Sequence, residues 1–233
     1  EQLCPVRVID YNRAEKSFDN SIFYDSFVTG LCQAMDLPES ARQALLVDAN
    51  LAMQTLDERG LSPYRTFDSI SRFAELLSKS RGEAFCPRIT ACRLTEETSL
   101  TLIEPPCGSN TAILTHGEDV LFLDSGYACY EREMLALFRQ LVPDFDRRKK
   151  TILVTHADVD HCGLLPVFDE ILVSAKSAQC LRLEAAGQDG FREQNPLHKP
   201  YIQICKLLTG YCPAPTERLR IRWGDLAPLS CPL

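Results

Sequence analysis

Apolar residues recur at helical spacing through the first third of the chain. Phe23, Phe27, Leu31 and Met35 fall four apart and would line one helix face. Pro38-Glu39-Ser40 opens a second pattern through Leu45, Leu46, Leu51, Met53 and Leu56, which Gly60 is placed to stop. Thr66-x-x-Ser69 precedes a third run of Ile70, Phe73, Leu76 and Leu77. Three helices over 18–80 are predicted, forming an N-terminal helical cap or subdomain over 1–82. Their apolar stripes read as core, and no residue among them forms a site.

The texture changes after Gly82. Ile89–Leu94, Ser99–Ile103, Asn110–Leu114 and Val120–Leu123 have the short β-rich character of strands, and the last two are joined by the polar turn His116-Gly117-Glu118-Asp119. Leu135–Leu141 reads as a helix and Thr151–Thr155 as a strand. Leu164–Phe168 is a short turn or helix, and Glu170–Val173 is another strand. A helix follows from about Ser177 to Ala186. Pro196–Leu208 reads as a helix that Pro200 interrupts, and Arg218–Trp223 as a strand. Alternating strands and helices predict an α/β layered domain over 83–233.

Composition narrows the function classes. Lys plus Arg is 25 against 32 Asp plus Glu, a net charge of −7 over 233 residues. That balance gives no general pull toward nucleic acid or anionic membrane. The one dense basic run, Arg147–Lys150, reads as a solvated turn before a strand. No stretch approaches the ~20 apolar residues that span a bilayer, and the start carries no basic-then-apolar leader. Eleven cysteines without a C-x-x-C pair point to free thiols in a reducing cytosol. A cytoplasmic protein acting on a small molecule is expected, with no nucleic-acid or membrane partner.

The chemistry is concentrated at one place. The run Ile152–Val154 ends in His156, Asp158, Asp160 and His161, four potential metal ligands within six residues. Two imidazoles and two carboxylates packed this closely repel and desolvate one another unless a cation joins them. A strand leading into the loop would fix their directions, and Gly163 permits tight turning into the next element. Cys162 reads as packing, and His116 as a solvated turn residue. His198 is the only other His and a weaker candidate for a third ligand.

This pattern resembles the metallo-β-lactamase-fold hydrolases, whose signature is a strand followed by H-x-H-x-D-H. Gly108-Ser109-Asn110-Thr111-Ala112-Ile113 is similar to an early strand of that family. Val120–Gly126 is similar to its apolar strand followed by D-x-G. The resemblance spans roughly 98 to 186. It implies an α/β, metallo-β-lactamase-like αββα sandwich, possibly only its first half, behind the helical subdomain. It further implies two divalent ions, with His156 and Asp158 in a first site and Asp160 and His161 in a second. Asp160 would orient the nucleophilic water in a catalytic, base-like role, and Asp124 would support the metal loop from behind, with an Asx-turn as the alternative for Asp124.

Two departures bear on function. Asp158 stands where most of the family has His, which gives Mn or Fe equal standing with Zn. The 72 residues after His161 hold one His, and Asp225 is the only loop-like Asp near the end. The strands at Arg218–Trp223 and Leu226–Leu229 would begin a second half, so a C-terminally incomplete domain is expected. The resemblance implies a metal-dependent hydrolase acting on an ester, phosphoester, thioester or amide. A flavodiiron-like di-iron oxidoreductase and a non-catalytic binding module with a vestigial metal loop are the alternatives.

Overall fold

The computed structural model describes residues 20–61, 63–188 and 198–223. The side chains of Phe23 and His198, together with Asp225 and 226–229, lie outside the described residues. Two compact units are formed. The first runs to Lys79 and includes residues 198–208. The second comprises 80–188 and 209–223.

The first unit contains α1 (Asn20–Met35), α2 (Glu39–Glu58), α3 (Pro63–Lys79) and most of α6 (His198–Thr209). Phe27 and Phe67 meet edge to face at 4.7 Å between α1 and α3, a favoured aromatic geometry. The buried stripe of α2 is Ala41, Leu45, Ala49, Ala52, Met53 and Leu56, and that of α3 is Phe67, Ile70, Ala74 and Leu77. Leu51 and Leu76, expected in the core, are exposed. Each lies one residue, about 100° of helical rotation, from a buried neighbour. Alanines fill the stripe because they let helices approach closely. Pro200 does not interrupt its helix. It sits in the first turn of α6, where a missing N–H costs no hydrogen bond.

The second unit is one seven-stranded sheet in sequential order. Its strands are β1 (Arg88–Arg93), β2 (Thr98–Glu104), β3 (Thr111–His116), β4 (Asp119–Leu123), β5 (Thr151–Leu153), β6 (Glu170–Ser174) and β7 (Leu219–Trp223). β1 to β4 run antiparallel, and β4 to β7 run parallel. Helix α4 (Glu131–Leu141) links β4 to β5, and α5 (Ala175–Ala185) follows β6. This is a mixed α/β fold with helices ahead of it, consistent with the metallo-β-lactamase-like architecture that the sequence resemblance implies. Among the described residues it forms one sheet, where a sandwich has two.

The two faces of the sheet differ. On one, Ile113, Phe122, Ile152 and Ile171 stand in register across four strands and are buried. Phe122 anchors this core, with the rings of Phe138, Phe145 and Phe168 at 5.0, 6.0 and 5.1 Å. On the other face, Leu114, Leu121, Leu123, Leu153 and Leu172 are half-buried. Edge strand β1 is exposed along its whole length. Among the described residues no helix is long and apolar enough to cross a membrane.

Candidate metal centre

The parallel strands β4 and β5 end side by side, and both chains then leave the sheet at the same edge. Their turns are stitched together. Asp124 N–H donates to Leu153 O at 3.0 Å, Ser125 N–H to His161 O at 3.0 Å, and Gly163 N–H to Gly126 O at 3.0 Å. Ser125 Oγ donates to His161 O at 3.1 Å and accepts from Leu164 N–H at 3.0 Å. Gly163 is needed for closeness rather than for turning, because a Cβ there would overlap Ala128 N and Gly126 O. Beyond β5, Ala157 and Val159 point inward and are buried, while His156 and Asp158 are exposed. The alternation of the strand changes phase after Val154, where Thr155 and His156 are both exposed, and this shift turns His156 and Asp158 outward.

Asp124 organises what faces outward. It is buried, at 7% exposure, and holds a positive φ of 54°, a strained conformation for a residue with a Cβ. Its Oδ1 accepts from Thr155 N–H at 2.8 Å, and its Oδ2 accepts from Thr155 Oγ1 at 2.7 Å and from His161 Nδ1 at 2.8 Å. The Thr155 hydroxyl hydrogen is therefore spent on Asp124. His156 Nδ1, 2.9 Å from that same hydroxyl oxygen, must be the donor there. One carboxylate thus orients two imidazoles, His161 directly and His156 through Thr155. Thr155 was missed as a site residue by sequence reasoning, which took it for the last residue of a strand.

With both Nδ1 atoms engaged, both Nε2 atoms turn to the loop carboxylates. His156 Nε2 lies 3.4 Å from Asp158 Oδ2, and His161 Nε2 lies 3.4 Å from Asp160 Oδ2. The two rings are 4.0 Å apart between centroids. Hydrogen bonding to Asp124 and then to Asp160 outweighs burial and pushes the His161 pKa up to about 10. Burial works to raise the Asp160 carboxyl, but its bond to His161 prevails and the net shift is downward. Without a cation, then, His161 is protonated at neutral pH, and a metal at Nε2 has to displace that proton.

The donor types suit Zn, Mn or Fe, and the engaged Nδ1 atoms give the backing that metal-bound imidazoles ordinarily have. In number the cluster is lean. It supplies one imidazole and one carboxylate at each of two points. Among the described residues no three His, Cys, Asp or Glu side chains converge to hold one ion. Cys162 is buried, with its thiol 3.5 Å from His156 O. His116 is at the far end of β3, its Nδ1 2.8 Å from Thr98 Oγ1. His198 opens α6, in the described sequence of the first unit's last helix.

Residues 105–176 match the family model of the metallo-beta-lactamase superfamily. Over those residues the chain is similar to that superfamily. The matched stretch runs from the β2–β3 turn to the start of α5 and includes both the D-S-G turn and the ligand loop. It covers 72 of the 233 residues. The metallo-beta-lactamase superfamily is mostly hydrolytic and generally binds divalent metals. No curated protein matches the chain.

Proposed function

We propose that this chain is a metal-dependent hydrolase whose site lies at His156–His161. The observation that carries the reading is Asp124 directing two imidazoles at once, each with Nε2 toward a carboxylate of the same loop. A core-stabilising network would have no reason to leave these Nε2 atoms and carboxylates facing outward together.

His156 and Asp158 would hold one divalent ion, and Asp160 and His161 a second. Such ions supply Lewis acidity and a hydroxide nucleophile near neutral pH, suited to ester, phosphoester, thioester or amide cleavage. Two protein donors at each point leave positions for water and substrate. Asp160 takes the base-like role. Its carboxylate would orient the attacking water and accept its proton. Asp124 and Thr155 keep both rings in the tautomer that offers Nε2 outward. Asp158 adds charge at the first point and favours Mn or Fe as much as Zn.

The test is hydrolysis of p-nitrophenyl acetate and bis-p-nitrophenyl phosphate by the purified chain, before and after chelation. Turnover should vanish with the chelator, return with Mn, and be absent in His161→Ala. Hydrolysis that persists in chelator, or in His161→Ala, contradicts the reading.

A further inference from the structure

We propose that Ser109 is a positioning residue that fixes the orientation of Asp160. The inference rests on the hydrolase reading above but concerns a residue outside the ligand loop, on the connection between β2 and β3. Four described non-glycine residues adopt a positive φ, namely Asp36, Ser109, Asp124 and Asp144. Two of them, Asp124 and Ser109, place a side chain on the ligand loop. Strain of this kind persists where surroundings over-determine it, and it concentrates at functional sites.

The surroundings of Ser109 do over-determine it. Gly108 N–H donates to Pro105 O at 3.0 Å, closing a tight turn just before it. The Cys107 thiol lies 3.1 Å from the buried Tyr130 hydroxyl, which ties the connection to the segment leading into α4. Ser109 O would be 3.1 Å from a Cβ placed on Gly126, so the connection rests directly on the D-S-G turn. Held in this way at φ 63°, Ser109 points its hydroxyl to Asp160 Oδ2 at 3.3 Å. That oxygen also faces His161 Nε2 at 3.4 Å. One oxygen of the carboxylate is therefore held by two side chains, which restricts its rotation about Cβ–Cγ.

The bond is long for a hydroxyl and a carboxylate. Such contacts commonly tighten when a catalytic site is occupied. The choice of residue is the telling point. Glycine would adopt this backbone without strain, so a serine here carries a conformational cost that its hydroxyl bond helps to offset.

Stability and metal affinity should therefore move in different directions in Ser109→Gly. The full chain is titrated with Mn by calorimetry, and the thermal midpoint of the metal-free protein is measured in parallel. Ser109→Gly should keep or raise the midpoint, yet lower Mn affinity by about tenfold or more, the usual effect of losing a partner behind a metal ligand. Ser109→Ala should lower the affinity similarly. Wild-type affinity in Ser109→Gly overturns the inference and leaves the hydrolase reading standing. So does a parallel fall of midpoint and affinity, which would mark a purely structural role. A wild-type chain that binds no Mn overturns both.

Discussion

At the scale of single residues, the candidate centre depends on how few hydrogens are available. Thr155 has one hydroxyl hydrogen and gives it to Asp124, and that fixes which nitrogen of His156 carries a proton. Thr155→Val removes the acceptor for His156 Nδ1 while the Asp124–His161 bond remains. Its expected effect is a loss of about 1 kcal/mol in stability and a 10- to 100-fold loss in Mn affinity, read by denaturant unfolding and calorimetry. Equal affinity in the variant would show that His156 needs no such guidance. The placing of Asp124 at a strand end beside the loop was legible through the resemblance of Val120–Gly126 to an apolar strand followed by D-x-G. The relay through Thr155 was not, since no pattern of spacing reveals which way a hydroxyl hydrogen points.

At the scale of elements, the site exists because two parallel strands end together and their turns interlock. Gly163→Ala places a Cβ against the backbone of Gly126 and Ala128. It should cost ~1–3 kcal/mol or more through overpacking and lower metal affinity as well, since the ligand loop and the D-S-G turn move apart. Urea unfolding of the variant checks the first part and calorimetry the second. Phe122→Ala, in the middle of β4 with three aromatic neighbours, should cost ~3–5 kcal/mol. Most elements were readable because their apolar periods are regular, as in the four-residue spacing of α1. What was not readable turned on context. Leu51 and Leu76 look like core but stand a residue off the stripe, and alanines hold the true positions. Ile89–Leu94 read as a strand without a place in the sheet, and only the strand order shows that β1 is the exposed edge. Pro200 read as a break because its place in the first turn of α6 depends on where the helix begins.

At the scale of the whole molecule, acid stability has an identifiable contributor. Asp169 accepts the Lys150 N–H at 2.8 Å, and the Lys150 ammonium lies 3.5 Å away. The backbone bond first, with the lysine charge adding, holds its carboxyl below the ordinary range despite opposing burial. A depressed folded-state pKa contributes stability that is complete above the unfolded value of ~3.9 and is lost as pH falls through the lower folded value. The chain should therefore lose stability between about pH 4 and the lower folded value, and Asp169→Asn should flatten that part of the profile when urea midpoints are compared across pH. The described sheet has one aromatic-filled face and one half-buried leucine face. The candidate site residues lie together where β4 and β5 end and deliver Asp124 and the His156–His161 loop. The most direct measurement is the metal content of the chain, by plasma mass spectrometry after Mn loading and gel filtration, beside a His156→Ala/His161→Ala double variant. Stoichiometric metal in the wild-type chain and background levels in the variant are the predicted result. A wild-type chain at background, or a variant that keeps its metal, would contradict a metal centre at His156–His161.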